Sequence, residues 1–389
     1  MKDKKANILL VTNYYPPEKG AAPNRIQTLA ENLSLQNYNV TVICPLPNYP
    51  TGSVFNGFKG KVYHSSIEGS INIKRLWLFP SKSSNKFIRL LSMLSFSFSL
   101  TLYFIFKKIP KKVFVQYSPV FVGFTAVFWS WVFRKKVLLN VSDLWPLAGL
   151  EMGLLSKGVY YSLLEKMEVF CYKKAKLIIG QSEEILQHIS QKGIQKELFL
   201  YRNLPNFKPQ VPNETSTEKI TLVYAGLLGI AQGLHSICST IKLPKHIELH
   251  IYGAGPEVEK IKSIKQGNVM YHGEVSRAQL HTELQKYTIA FVPLVKRIYG
   301  SVPSKIFEYT RLGLPIFYFA GGEGGDLVEK HRLGWNIQAE DYEAFQKFIN
   351  RISKEELNNF KKSEIQKRAL SAFNFEVQFK FLLKAIQKI

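Results

Sequence analysis

PNFKPQVPNETSTEKITLVYAG, residues 205–226, changes character part-way along. Residues 205–219 are rich in Pro, Asn, Ser and Thr and have no periodicity, which marks a linker. ITLVYAG, 220–226, is a short apolar run closed by glycine, the pattern of a buried strand. Both sides of the linker show the same alternation. Before it, NILLVT (7–12), YNVTVIC (38–44), KVFVQY (112–117), KVLLNVS (136–142) and LIIGQS (177–182) read as strands. Helical spacing lies between them, with Ile26, Leu29, Ala30 and Leu33 on one face. In 159–176, Leu163, Leu164, Met167, Phe170 and Cys171 share another. After the linker come IELHIYG (247–253), IAFVPLV (289–295) and LPIFYFA (314–320), again with helices between, and a helical, basic stretch over about 341–389. Buried strands alternating with helices predict parallel sheets of Rossmann type. The expected architecture is α/β: two Rossmann-like domains facing across a cleft, 1–204 and 220–370, with a C-terminal helix at 371–389. In such sheets ligands bind beyond the carboxyl ends of the strands.

Composition agrees. At 389 residues the chain exceeds one ordinary core, and 46% hydrophobic with 21% charged is a globular balance. Cys44, Cys171 and Cys238 stand far apart with no CxxC pair, which argues against a disulfide framework or zinc site and suits a reducing cytosol. The basic start, MKDKKANILLVTNYYPPEKG, is no signal peptide, because its apolar run stops after Val11.

Net charge is +23, and twelve basic residues fall between Glu68 and Asp143, where no acidic residue occurs. This region, 74–136, should attract an anionic partner. Within it LLSMLSFSFSLTLYFIF, 90–106, runs seventeen residues without a charge. Nucleic-acid surfaces do not need such a stretch, whereas basic flanks around an apolar segment suit a helix lying on an anionic membrane. A spanning helix is the sharper reading, but seventeen residues is the lower limit for about 30 Å of hydrocarbon. A core helix with ordinary lysines at its ends is the plainer one.

Four glycine-bearing turns follow strands or precede helices: PPEKGAAPNR (16–25), AGLLGIAQG (225–233), YGAGPEVEK (252–260) and AGGEGGD (320–326). Such turns expose backbone N–H groups to an anion. Three of them share one domain with SVPSKIFEYTRLGLPIF, 301–317, where Pro303 opens a short helix and Gly313 ends it. Lys305 and Glu308, three residues apart, share one face of its first turn. That pairing suits a phosphate-bearing ligand; a solvated ion pair is the plainer account.

TNYYPPEKGAAPNR, NVSDLWPLAGLEMGLL, YAGLLGIAQGL, YGAGPE and VPSKIFEYTRLGLPI together resemble a retaining glycosyltransferase of the GT-B fold, family 4. The likeness covers nearly the whole chain and is nearest to the bacterial surface-polysaccharide branch of aminosugar and fucosaminyl transferases. It implies that Lys305 neutralises the diphosphate of a nucleotide sugar, UDP-linked by the family habit, and that Glu308 accepts hydrogen bonds from the ribose hydroxyls. Gly226, Gly229, Gly253, Ser304, Gly322 and Glu323 complete the implied donor site. Asp143, where many relatives place a catalytic histidine, would be catalytic, contacting the donor sugar or orienting the acceptor; a strand-end carboxylate also suits an acid or base, and capping of the next turn is the plainer account. Gly20, Arg25 and Trp145 fall to the acceptor side, with Trp145 also a candidate core residue. One departure stands out. Most members carry a glutamate eight residues before Glu308, where this chain has Gly300.

The implied activity is hexosyl transfer, with retention, from a nucleotide diphosphate sugar to a polyprenyl-diphosphate-linked saccharide in capsule or O-antigen synthesis. It places the protein in the cytoplasm, peripheral on the inner face of the membrane. No cofactor or metal is expected: there is no Asp-x-Asp motif, and HIELH, with His246, Glu248 and His250 on one strand face, reads more simply as a polar strand face. A nucleotide-sugar epimerase of the same fold and a nucleic-acid-binding protein remain alternatives. An NAD-linked dehydrogenase is disfavoured because the first glycine loop lacks GxGxxG.

Overall fold

The computed structural model describes residues 5–49, 51–83, 85–212 and 218–389. Residues 213–217 of the expected linker lie outside these, as do the side chains of Lys86 and Arg89. The chain forms two compact units, Met1–Asn203 with Gln378–Ile389, and Leu204–Val377.

The first unit runs β1 (Ala6–Val11), α1 (Ala21–Leu35), β2 (Tyr38–Pro45), β3 (Tyr63–Glu68), β4 (Ile71–Leu76), α2 (Lys86–Phe106) and β5 (Lys112–Gln116). It continues through α3 (Val120–Val132), β6 (Lys136–Val141), α4 (Leu147–Glu151), α5 (Val159–Lys174), β7 (Leu177–Gly180), α6 (Glu183–Gln191) and β8 (Glu197–Leu200). The sheet order is β3-β4-β2-β1-β5-β6-β7-β8, parallel except for the β3–β4 pairing. The order reverses between β1 and β5, the crevice position of an open α/β sheet. Thr12, just after β1, hydrogen-bonds Gln116 at the end of β5 across that point.

The second unit contains β9 (Ile220–Ala225), α7 (Leu234–Thr240), β10 (Ile247–Tyr252), α8 (Val258–Lys262), β11 (Val269–Gly273), α9 (Arg277–Leu284) and β12 (Ile289–Pro293). Then follow α10 (Lys305–Arg311), β13 (Ile316–Ala320), α11 (Gly322–Lys330) and β14 (Gly334–Gln338). Its sheet is parallel, in the order β11-β10-β9-β12-β13-β14, and the order reverses between β9 and β12. β9, β12 and β13 are buried along their whole length, as a sheet covered on both faces requires, which is why they appear as unbroken apolar runs. The C-terminal stretch is broken into α12 (Tyr342–Arg351), α13 (Lys354–Leu357), a 3-10 turn, α14 (Lys362–Ala372) and α15 (Phe375–Lys388).

Two readings of the first unit are corrected. Leu163 does not share the buried face of α5; it is exposed, whereas Leu164 and Cys171 are buried. The basic region 74–136 is not wholly available to a partner. Arg75 is buried, donating to the Pro16 carbonyl and, at 3.4 Å, to Cys44 Sγ. Lys112 Nζ donates to the carbonyl of Ile386 at 2.7 Å, and Lys136 donates to Ile389, so both are engaged by the C-terminal segment of their own unit. Lys82, Lys107, Lys108, Lys111 and Arg134 remain exposed.

α2 has two unlike faces. Phe96, Leu100 and Phe104 are buried, in a helix that packs on α3. Phe87, Leu91, Leu94, Phe98, Leu102 and Ile105 recur at helical spacing and are exposed, Phe98 by 61%. Trp131 and Phe133, at the end of α3, are exposed too. Among the described residues no helix is long and apolar enough to cross a membrane.

Candidate active site

α10 carries the pair that drew attention in the sequence. It starts at Lys305 with Ser304 as its cap, so Pro303 stands just outside rather than at the first helical position. Ile306, Phe307, Tyr309 and Thr310 are buried and fix the helix to the sheet. Gly313, at φ 88°, ends it where a Cβ would come 2.8 Å from the Lys362 carbonyl.

Tyr309 locks α10 to the end of β9. Its hydroxyl donates to the Ala225 carbonyl at 2.8 Å and accepts from the Ala225 N–H at 2.9 Å. Burial pushes its pKa well above the usual tyrosine value, so it stays a protonated donor. Lys305 Nζ donates to the same carbonyl, 5.4 Å from the ring centre of Tyr224 and 5.5 Å from that of Tyr309. A Cβ on Gly226 would lie 2.3 Å from that ammonium, so glycine is what lets the lysine reach the strand end. The structure therefore brings Lys305 and Gly226 together at the point where the sheet order reverses.

Gly253 has a different place. Its Cβ would fall 1.8 Å from the Gly226 carbonyl, and a Cβ on Gly255 2.4 Å from that of Leu228. The two loops are laced by Leu228 N–H to Ala254 O at 2.9 Å and Glu257 N–H to Leu228 O at 3.1 Å. Gly253 thus shapes the loop behind Gly226. Gly229 lies further along that first loop, where its carbonyl accepts from the Gln232 N–H at 3.2 Å.

Glu308 is held from the side. His281, on α9, places Nε2 3.0 Å from Glu308 Oε1, and both side chains are largely buried. The His281 ring lies against Phe207, with centroids 4.3 Å apart. Gly322 opens α11 at φ 63°, and a Cβ there would meet Arg297 Nε at 2.7 Å. A second cation therefore lies over a helix N-terminus, beside the buried Glu323. Gly300 has φ 82°, a conformation that glycine adopts without strain.

In the first unit, Gly20 caps α1 at φ 137°, where a Cβ would touch Pro23 Cδ at 3.8 Å, an ordinary contact. Arg25, buried on α1, donates to Ser142 Oγ at 2.5 Å. Burial lowers its pKa to about 10, opposed by the carboxylate of Asp143. Asp143 follows β6; the surrounding protein raises its pKa, while the Arg25 guanidinium and then the Ser118 hydroxyl pull it down. The residue is nevertheless open to solvent, which screens the effect. The structure thus brings Arg25 and Asp143 together. Trp145 is half-buried against α4, where a Cβ on Gly149 would be 2.5 Å from the indole, and its carbonyl accepts from Tyr117 at 3.2 Å. These contacts pack part of the indole on α4.

The polar face of β10 pairs differently from the expected HIELH set. His250 bonds Glu248 at 3.3 Å and His272 of β11 at 2.9 Å, while His246 stands exposed before the strand. Among the described residues no group of three or more His, Cys, Asp or Glu is placed to hold a metal. His281, Phe207, Tyr224 and Tyr309 were missed as site residues. Tyr309 lies in the PSKIFEYTR motif but reads as an apolar helix position, and the contacts of His281 and Phe207 with α10 are long-range.

Residues 219–355 match the family model for glycosyl transferases group 1. The matched stretch, which holds Gly226, Lys305 and Glu308, is similar to a glycosyltransferase domain. Its fold is shared over 99% of this chain and 99% of sucrose-phosphate synthase from Thermosynechococcus elongatus, at TM-score 0.73 and 13% identity. Anabaena HepE, in complex with UDP and glucose, matches at TM-score 0.68 and 12% identity over 99% of this chain and 100% of its own. A mutant form of S. aureus TarM, in complex with fondaparinux, alpha-GlcNAc-glycerol and UDP, matches at TM-score 0.65 and 10% identity, over 97% of this chain and 99% of its own. These likenesses show the fold, which is GT-B. No curated protein matches the chain.

Proposed function

We propose that the protein is a retaining hexosyltransferase of family 4 that moves a sugar from a UDP-linked donor to a polyprenyl-diphosphate-linked saccharide, in capsule or O-antigen synthesis. The observation that carries the donor half is Lys305 at the Gly226 strand end with Glu308 one turn on, inside the stretch that matches the glycosyltransferase model. Lys305 neutralises the diphosphate, and Glu308 accepts from the ribose hydroxyls. The sugar, without a carboxylate at 300, is held around Gly322 and Glu323, and Arg297 adds positive charge there, so no metal is required. UDP is chosen because HepE is seen with UDP-glucose. Asp143 orients the acceptor and Arg25 meets its anionic part. Retention follows from front-face attack in which the leaving diphosphate takes the acceptor proton.

The lipid half rests on α2. A stripe of six exposed apolar residues, bordered by Lys82, Lys107, Lys108 and Lys111, suits a helix lying in the headgroup layer of an anionic bilayer. The protein then works at the inner face of the membrane, where its acceptor is embedded.

Calorimetric titration of UDP and GDP into wild type and Glu308→Ala tests the donor half. Selective binding that the substitution removes supports it, and binding of neither nucleotide overturns it. Co-sedimentation with vesicles of anionic or zwitterionic lipid tests the lipid half. Leu91→Ser with Phe98→Ser should abolish binding to anionic vesicles, and equal binding by this variant removes the membrane assignment.

A further inference from the structure

Three contacts close a ring around Glu308. Arg311, one turn further along α10, donates from Nε to the Phe207 carbonyl at 2.7 Å, and its guanidinium lies 5.5 Å from the centre of the Phe207 ring. The other face of that link is the Phe207–His281 ring contact at 4.3 Å. His281 Nε2 then returns to Glu308 Oε1 at 3.0 Å. The ring thus starts and ends on α10, passing through the 204–212 segment and α9.

A glutamate side chain has three torsions, and a carboxylate that must meet two vicinal hydroxyls has to be held in one orientation. An imidazole N–H bonded to one oxygen fixes the carboxylate plane, and with it the direction in which the second oxygen accepts. The Phe207 ring, itself anchored by Arg311, limits where that imidazole can turn. We infer that His281 is a positioning residue that sets ribose recognition: it aims the Glu308 carboxylate so that the site selects a ribonucleotide over its 2′-deoxy counterpart. The inference rests on the ribose role assigned to Glu308.

The test uses the full-length protein and calorimetry. UDP, ADP and GDP are tried in turn, and the one that binds is compared with its 2′-deoxy form. Wild type should prefer the ribonucleotide about tenfold, the loss expected for one charge-assisted hydrogen bond. His281→Phe keeps a ring against Phe207 and removes the donor, so the preference should collapse while affinity for the 2′-deoxy form holds. His281→Gln retains a donor and should keep most of the preference. A structural role alone would weaken both nucleotides alike in His281→Phe, and that result overturns the inference. So does a preference kept in His281→Phe but lost in Glu308→Ala, which leaves the ribose assignment standing. Wild type that binds both nucleotides equally overturns the ribose assignment, and this inference with it.

Discussion

The two sheets treat a cation and a carboxylate differently at their strand ends. In the second unit, Lys305 and Glu308 come from one helix and turn to different partners, the Ala225 carbonyl and His281. In the first unit, Arg25 and Asp143 come from different elements, and each charge favours the charged form of the other while Arg25 donates to Ser142. Two charges set side by side on a helix can serve two parts of one ligand. Charges that lie within each other's field partly offset one another, and suit a ligand that must be oriented more than neutralised.

The largest effect should come from the separated pair. Glu308→Ala is expected to weaken nucleotide binding about a hundredfold, as two lost charge-assisted hydrogen bonds would. Lys305→Met should cost a similar factor, and the double variant should lose the product of the two. A double variant no worse than either single one would show a coupled pair and break the contrast. Next in size is the anchor beneath Lys305. Tyr309→Phe removes both of its hydrogen bonds to Ala225 and should cost about 1–3 kcal/mol in urea unfolding, since the Ala225 N–H loses this partner while its carbonyl keeps Lys305. An unchanged midpoint would mean that the Tyr309 hydroxyl is not what holds α10.

The coupled pair makes a different prediction. Arg25→Met should raise the pKa of Asp143 further, because the cation that lowers it is gone. Carboxyl NMR titration reads this directly, and an unmoved Asp143 would sink the coupling. The smallest effect belongs to Glu18, whose buried carboxylate accepts from the N–H groups of Asn48 and Tyr49 at 2.8 Å each. Burial raises its pKa despite those bonds. The folded chain therefore binds this proton more tightly than the unfolded chain. Its contribution to stability falls as pH rises from about 4.3 through the raised value. Glu18→Gln keeps an acceptor and should flatten that part of the profile, above about pH 4. An identical slope in urea midpoints would assign the raised pKa no energetic weight.

The sequence was legible where physics leaves a periodic mark. β9, β12 and β13 are buried on both faces and stood out as apolar runs. β3, an edge strand, is mostly exposed, and β11 and β14 are half-buried, so none offered such a run. Lys305 and Glu308 were readable because their spacing is local. The ring through Arg311, Phe207 and His281 was not, because the contacts that make it depend on how 204–212 and α9 pack. The charge count misled for a similar reason. Arg75, Lys112 and Lys136 add to a basic stretch on paper, yet their partners lie within the protein.

Gly300 closes a route as well as a loop. At φ 82° a glutamate there would be strained, so the second carboxylate that most of the resembled family carries cannot be gained here by a single favourable substitution. The backbone between β12 and α10 would have to change in the same step. In evolutionary terms, gaining a carboxylate at this position asks for two changes at once, one of residue and one of backbone path.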